Sequence, residues 1–462
     1  MTLREAEIRM RYAGAIVAAA GALAALPAIA QEWSVYAGGA GRIEYNDNYF
    51  FVAPGQPVPG NPSAVAEKES AFTLTLSPFV AASRRTEVSE VTALLAIGAN
   101  KVWGISPSEE YLSGAFSLNG TLREERSTWT GRTSYSRSSS LEQAILDGDF
   151  VLARTYTDAA VLEGGYNYQL TDRWTIGAAV GGYANWYDSV EDITGQSDDW
   201  GYNVTGNLGY AYSDKTRLTY TLGYTYYTSD ITRSNVLTTT LGVVHQFSPQ
   251  LTVSGSAGGF WSDTTARQNL PGQGTPIDAG EKRDDSGTFF GGSIAYAFTE
   301  TTRFDARASQ GLAPSGTGTI NENTSASAAL LHQFSDQLSG RIGASYAKTT
   351  FPVGLDGSAD DKTITAGAGL SYRLAERWML DAGYQYTRTR YSQGSGDPSS
   401  NVVFVSIAYN WPGASFTGWI GSPVETQGLP AAGPLSLPVP GSGSPGASPM
   451  PDLLPFDALT LP

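Results

Sequence analysis

The sequence contains no cysteine, and His245 and His332 are its only histidines. Without thiols the chain forms no disulfide framework, thiolate zinc site, iron–sulfur cluster or cysteine nucleophile, and two histidines do not provide a histidine-rich metal site. Only 16% of the 462 residues are charged, and the net charge of -15 leaves no basic face for nucleic acid. After residue 30 no apolar run approaches the roughly 18 residues that a membrane-spanning helix needs.

Glycine and aromatic residues are abundant instead, with 53 glycines and 11% aromatic side chains. The first 30 residues have the order of a secretory signal: Arg4, Arg9 and Arg11 precede an apolar stretch, which ends in Ala28-Ile29-Ala30. The sequence therefore predicts a signal peptide over 1–30 and an exported all-β protein after it.

A hairpin pattern recurs through the rest of the chain. "YQLTDRWTI" from Tyr168 and "YRLAERWMLDA" from Tyr372 are two of six segments in which an aromatic strand end, a short polar turn and a new strand follow one another at intervals of 35–51 residues. A propeller blade would need four strands per period, whereas this period holds two longer ones. Paired long strands with short turns on one side predict a transmembrane antiparallel β-barrel with short periplasmic turns and longer extracellular loops.

Alternation of side chains supports the barrel strand by strand. After Arg217, Leu218, Tyr220 and Leu222 share one face, and small polar residues share the other. Counting outward from the turns predicts about 18 strands over 31–411, with 16 as the alternative. The predicted strand starts are residues 33, 70, 88, 110, 128, 155, 174, 200, 216, 235, 251, 285, 302, 322, 338, 362, 378 and 400.

The same alternation assigns side chains to the lumen and to the membrane surface. Aromatic residues near strand ends predict an interfacial girdle, whose candidate members are Tyr166, Trp174, Tyr296, Trp378, Tyr384, Tyr409 and Trp411. Charged residues on the polar face are the pore-lining candidates, namely Arg42, Arg123, Arg132, Arg217, Arg303, Asp305, Arg307, Arg341, Arg373 and Asp381.

The chain has 23 arginines against 6 lysines, and two interpretations of the inward arginines stay open. Asp305 stands between Arg303 and Arg307, as expected if charge pairs hold the wall rigid. The alternative is a ladder of arginines that passes an anionic or hydroxyl-rich solute by successive weak contacts.

Proline dominates the C-terminal end. Eleven of the 24 prolines fall in residues 412–462. Such a density prevents both ladder pairing and helix formation, so the sequence predicts a disordered, Pro/Gly-rich periplasmic tail.

Features that could carry catalysis or metal binding have simpler explanations. His245 and His332 lie in matching strand ends of two hairpins. This repeat indicates polar residues at the inner interface of the outer membrane and not a Ser-His-Asp triad. The segment "DGSADDK" from Asp356 lacks the glutamate that ends a calcium loop. The sequence therefore predicts no catalytic residues, no metal site and no cofactor.

Residues Ala40–Pro54, "AGRIEYNDNYFFVAP", resemble the opening of a family of outer-membrane β-barrel porins associated with exopolysaccharide and exosortase (PEP-CTERM) gene clusters. A strand leads to Tyr45, then to Asn46-Asp47-Asn48 and an aromatic pair. Asn and Asp side chains can bond nearby backbone amides where the first strand leaves the membrane. The proline-rich tail departs from the family, whose barrels usually end on the aromatic residue of the last strand.

The resemblance implies an outer-membrane protein of a Gram-negative bacterium that takes part in exopolysaccharide biosynthesis or export, as a pore. The alternative is a general or substrate-specific diffusion porin, and the remote alternative is an outer-membrane enzyme acting on lipid or glycan. The expected partners are outer-membrane lipid, lipopolysaccharide and polysaccharide-export proteins, with no nucleic acid.

Overall fold

The computed structural model of the protein describes residues 32–55, 57–58, 61–65, 67–105, 108–139, 156–187, 197–267, 279–314, 320–350, 360–391 and 396–411. The predicted signal peptide (1–30) and tail (412–462) lie outside these residues. Among the described residues, no helix is both long and apolar enough to cross a membrane.

Eighteen strands form one antiparallel sheet. They are β1 (Glu32–Asn46), β4 (Ala71–Arg85), β5 (Ser89–Trp103), β6 (Glu109–Arg123), β7 (Ser127–Ser139), β8 (Tyr156–Gln169), β9 (Trp174–Tyr187), β10 (Asp199–Ser213), β11 (Thr216–Ser229), β12 (Thr232–Ser248), β13 (Leu251–Ala266), β14 (Lys282–Thr299), β15 (Thr302–Pro314), β16 (Ile320–Gln333), β17 (Leu338–Thr350), β18 (Asp360–Ala375), β19 (Trp378–Arg390) and β20 (Ser399–Asn410). Two short strands, β2 (Pro57–Val58) and β3 (Asn61–Val65), pair only with each other.

The large sheet closes on itself. Each strand pairs with its neighbours in chain order, and β1 pairs with β4 on one side and with β20 on the other. Closure leaves no sheet edge that would expose unpaired backbone groups to lipid. The predicted all-β barrel of 18 strands is confirmed, and every barrel strand begins within three residues of its predicted start.

Hydroxyl side chains build the short turns. The hydroxyl of Thr171 accepts the backbone N–H groups of Arg173 and Trp174, at 3.3 and 3.1 Å. Ser248 and Ser335 bond the amides two and three residues ahead in the same way. These turns mark one end of the barrel, called here the short-turn end. The opposite, long-loop end carries most of the longer connections.

One connection at the long-loop end differs from the predicted pattern of longer loops. Only Asp230 and Ile231 join β11 to β12. Ser229 explains the short link, because its hydroxyl accepts the N–H groups of Ile231 and Thr232 at 3.1 and 3.0 Å. The serine-based turn of the short-turn end is therefore used once at the other end.

The two faces of the sheet carry different side chains. One cross-strand row, which runs from β9 to β14, is almost entirely large and apolar: Ile176, Leu208, Tyr220, Leu241, Ala257 and Phe290. All its members are exposed on the outer face of the barrel. The opposite face of the same strands forms the inner wall around the lumen, because successive side chains of a strand point to opposite faces.

Candidate functional site

The inner wall is lined mainly by small polar residues. One row across β8–β13 consists of Asn167, Gly177, Asn207, Thr221, Thr240 and Gly258. The asparagine side chains of this row lie against the glycine: a Cβ built on Gly177 would meet Asn167 Oδ1 at 2.2 Å and Asn207 Oδ1 at 2.4 Å. A side chain at position 177 would therefore displace both asparagine side chains.

Alternation places all ten pore-lining candidates on the inner face. They are Arg42, Arg123, Arg132, Arg217, Arg303, Asp305, Arg307, Arg341, Arg373 and Asp381. They do not converge on one point. Arg123, Arg217, Arg303 and Arg373 lie within three residues of a short turn, whereas Arg42 lies in the half nearer the long loops.

Some of these charges are paired within the wall. Arg303 binds Asp305 through two parallel bonds of 2.9 Å, from Nε and one terminal nitrogen. Arg42 pairs with Glu44, and its guanidinium lies 4.1 Å from the centre of the Phe404 ring. Both ion pairs agree with the interpretation that charge pairs hold the barrel wall rigid.

Two further candidates behave differently from these pairs. The carboxylate of Asp381 accepts the hydroxyl of Ser371 at 2.5 Å and that of Ser406 at 3.5 Å. Arg307 is exposed in the lumen and forms no ion pair with any residue that the structure describes. Arg307 is thus an inward guanidinium available to a solute.

The inward charges differ between the two halves of the lumen. The half nearer the short turns carries mostly arginine: Arg85, Arg123, Arg132, Arg217, Arg303, Arg307, Arg341 and Arg373, with Glu90, Glu163, Asp305 and Asp381. The half nearer the long loops carries mostly carboxylates: Glu44, Glu109, Asp199, Asp285 and Asp361, with Arg42 and Arg283. A permeating ion therefore meets an acidic and then a basic stretch of wall.

Large aromatic side chains also face inward, which the sequence reasoning missed. Phe79 lies on Gly38 of the neighbouring strand, and Phe404 lies on Gly383. A Cβ on either glycine would stand 2.5–2.6 Å from the ring, closer than real contacts allow. An aromatic residue directly opposite a glycine is the available sequence signal, but it requires the strand register to be known.

The tip of the β15–β16 hairpin lies inside the barrel wall. Pairing between β14 and β15 ends at Gly291 and Ser309, although β14 begins nine residues further up at Lys282. Beyond this point Leu312 packs on the inward side chains of Val236, Phe260 and Phe289, together with Ile320. By alternation, the side chain of Leu312 lies on the outer face of β15. It can therefore contact the inward residues of β12–β14 only because the tip lies on the lumen side of those strands.

The segment after β1 also folds inward. Tyr49 packs with Val102 and Tyr111, which point inward from β5 and β6, and its N–H donates to the Glu69 carbonyl at 2.8 Å. In the ring of 18 strands, β5 and β13 stand eight strands apart. Two apolar layers therefore narrow the long-loop end of the lumen from nearly opposite sides.

The Asn46-Asp47-Asn48 motif joins the end of β1 to the start of β20. Asp47 accepts the N–H and the side-chain amide of Asn401 at 2.6 and 2.7 Å. Asn48 is fully buried; its amide donates to the carbonyls of Val52 and Ser399, and its Oδ1 accepts the Val52 N–H. This group is called the seam clasp below. The bond from the Val52 N–H to Asn48 is the contact with a nearby backbone amide that the motif predicts.

The two histidines occupy equivalent positions on the outer face at the short-turn end. His245 Nδ1 lies 2.8 Å from the Thr216 hydroxyl, and His332 Nδ1 lies 2.8 Å from the Thr302 hydroxyl. Each imidazole meets a phenylalanine edge-on, Phe247 in the first case. This repeated arrangement agrees with the interpretation of both histidines as polar residues at an interface.

The girdle candidates lie at two levels of the outer face. Tyr166 packs on Trp129, Trp174 on Tyr210 and Trp378 on Tyr409, with ring centroids 4.2–4.7 Å apart. Tyr296, Tyr409 and Trp411 also lie at the short-turn end. Tyr384 lies at the middle of β19 and not near a strand end as predicted, and its hydroxyl donates to Asn401 at 2.7 Å.

Two sequence families match parts of the chain. Residues 278–410 match the family described as "Putative beta-barrel porin 2", and residues 111–324 match the one described as "Putative MetA-pathway of phenol degradation". Each match covers less than half of the chain. None of the curated proteins matches it by sequence.

Several solved porin structures are similar to this chain at low identity. OpdK of Pseudomonas aeruginosa, crystallised with vanillate, is 13% identical to this chain. The match covers 82% of this chain and 99% of OpdK, with a TM-score of 0.41. A BenF-like porin from Pseudomonas fluorescens is 12% identical at the same coverage, with a TM-score of 0.43. OccAB1 of Acinetobacter baumannii is 12% identical, covered over 96% by 81% of this chain, with a TM-score of 0.41.

Such low identities compare architecture and carry no information about the solute. The closed antiparallel barrel has the strand number of large outer-membrane channels. The 18-stranded barrel and the partial match to a porin family together place this protein in the outer membrane of a Gram-negative bacterium.

Proposed function

We propose that the protein is a diffusion pore for small hydrophilic solutes, with a mild preference for anions. The observation that carries the proposal is the inner wall of an 18-stranded barrel lined by Thr, Ser, Asn and Gly, with Arg307 exposed on it. Barrels of 16–18 strands generally enclose an aqueous channel. Small polar side chains keep such a channel wet without filling it.

The exopolysaccharide role rests on the resemblance of residues 40–54 alone and stays a prediction. The inward layers around Leu312 and Tyr49 narrow the extracellular mouth from two sides. A narrowed mouth favours small solutes over a polymer chain, so the diffusion porin is the stronger proposal. An enzymatic role has no support in the two histidines, which lie on the outer face beside threonine hydroxyls.

Anion preference follows from the excess of arginine in the half of the lumen nearer the short turns, which is the periplasmic half of the proposed pore. Arginine is permanently charged, and charges lining the passage set ion preference more than charges beyond the screening length of about 8–10 Å. In planar bilayers under a KCl gradient, we expect the reversal potential to show chloride preference. Replacing Arg303, Arg307 and Arg341 together with Gln should shift it toward potassium.

The matched control removes three arginines from the periplasmic turns, as Arg126→Gln, Arg173→Gln and Arg377→Gln. It changes the net charge equally and should move the reversal potential less. Potassium preference in the unmodified protein would overturn the anion assignment. Absence of any conductance from folded, inserted protein would overturn the pore itself.

A further inference from the structure

A row of inward hydroxyl groups crosses eight consecutive strands, β13 to β20. The cross-strand partners run in the order Ser254, Ser293, Arg307, Ser327, Ser345, Thr365, Thr387 and Ser400. Seven of the eight carry a hydroxyl, and the remaining one is Arg307. This set is called the hydroxyl row.

The hydroxyl row climbs through the whole height of the barrel. It continues past Ser254 through Val244 to Arg217, the second residue of β11, beside a periplasmic turn. At its other end Ser400 is the second residue of β20, at the extracellular side, and donates to Asn46 Oδ1 at 2.8 Å. Barrel strands tilt by about 35–45°, so a row perpendicular to them rises obliquely along the wall. Its upper members Thr387 and Ser400 are buried, and the accessible part runs from Ser254 to Thr365.

The surroundings of the hydroxyl row leave it accessible in the middle. Ser327, Ser345 and Arg307 are exposed to the lumen. On β16, β17 and β18, the next inward residues toward the short turns are Ala329, Gly343 and Gly367. They are too small to cover the hydroxyl row. A second set of hydroxyl pairs lies directly above: Ser309 with Ser325 at 3.0 Å, and Thr363 with Thr389 at 2.8 Å.

Chemistry of this kind recognises a particular class of solute. A hydroxyl both donates and accepts a hydrogen bond, and the strands that carry the hydroxyl row are about 4.8 Å apart, so an extended polyol can exchange one set of partners for the next as it moves. Arg307 offers a planar donor fork suited to a carboxylate. Arg303, two inward positions below, is occupied by Asp305.

We infer that the hydroxyl row is a track for small linear polyhydroxylated acids, the class of sugar acids, with Arg307 binding the carboxylate at its midpoint. This assignment rests on the proposed pore and names its solute. Hydroxyl contacts act on any polyol, and the Arg307 contact acts only on an acid. The two contributions can therefore be separated by experiment.

The test measures uptake of radiolabelled gluconate, sorbitol and triglycine, the last free of hydroxyls, into proteoliposomes at low solute concentration. The variant Ser327→Ala, Ser345→Ala, Thr365→Val should lower uptake of gluconate and sorbitol roughly threefold to tenfold, the effect of losing one or two net hydrogen bonds. Uptake of triglycine should not change. Arg307→Gln should lower uptake of gluconate and triglycine, which both carry a carboxylate, and should leave uptake of sorbitol unchanged.

The matched control is Thr175→Val, Thr205→Val, Thr219→Val, which removes three inward hydroxyls outside the hydroxyl row. It should leave all three rates unchanged, and a gel shift on heating verifies that each variant is folded. Ser345→Ala alone serves if the triple variant does not insert. Equal changes for sorbitol and triglycine, or none, would overturn the track while the pore stands. Entry of none of the solutes through unmodified protein would overturn the pore.

Discussion

Replacing Leu312 with aspartate is expected to raise the single-channel conductance severalfold. Leu312 is buried among Val236, Phe260 and Phe289, where it holds the β15–β16 tip against the inner wall. An unpaired carboxylate buried there costs about 3–5 kcal/mol, more than the contact of one leucine stabilises. The tip should leave the wall, because nothing pairs it with β14 beyond Ser309.

The part of the barrel between the short turns and Ser309 should survive this substitution. The ladder from Thr302 to Ser309 still joins β15 to β14, and β16 stays paired with β17 from Glu322 to Gln333. Conductance in planar bilayers is the measurement. The matched control is Leu331→Asp, which adds the same charge to an exposed inward leucine of the same hairpin. A Leu312→Asp channel that conducts no more than this control would show that the tip does not narrow the passage.

The second large effect concerns the seam clasp. Replacing Asn48 with alanine should lower the free energy of unfolding by about 3–5 kcal/mol, because it strands the N–H and carbonyl of Val52 in a buried site and removes one of the two donors to the Ser399 carbonyl. These bonds stand at the β1–β20 seam, where the two ends of the chain meet to close the barrel. Weakening the seam exposes sheet edges that lipid cannot satisfy.

The temperature at which the folded band disappears on a semi-native gel measures this loss. Asn203→Ala is the control, since it removes an asparagine from the inner wall whose Oδ1 has no partner among the described residues. It should change stability by no more than about 0.5 kcal/mol. If both variants melt together with the unmodified protein, the clasp contributes nothing to closure.

Local chemistry explains how much of the fold the sequence predicts. Turn residues such as Thr171, Ser248 and Ser335 bond amides two and three positions ahead, so each turn is encoded in four or five consecutive residues. Alternation with a period of two then separates the inner from the outer face of each strand. Strand starts, strand number and the side of each charged candidate follow from these two rules.

The exception at Asp230–Ile231 shows the limit of that logic. Ser229 has the same turn chemistry as the serines of the short-turn end, so a two-residue link forms where the sequence pattern predicts a longer loop. The link still reverses the chain and leaves the strand count unchanged.

The sequence by itself determined the strands, their turns and the face that each residue occupies, because these depend on neighbours a few residues away. The tertiary structure alone decided the inward tip at Leu312, the clasp from Asn48 to Ser399, the contact of Phe404 with Gly383 and the hydroxyl row. Each of these joins residues on different strands, and Asn48 and Ser399 are 351 positions apart. Cross-strand register and strand tilt bring them together, and both emerge only when the barrel closes.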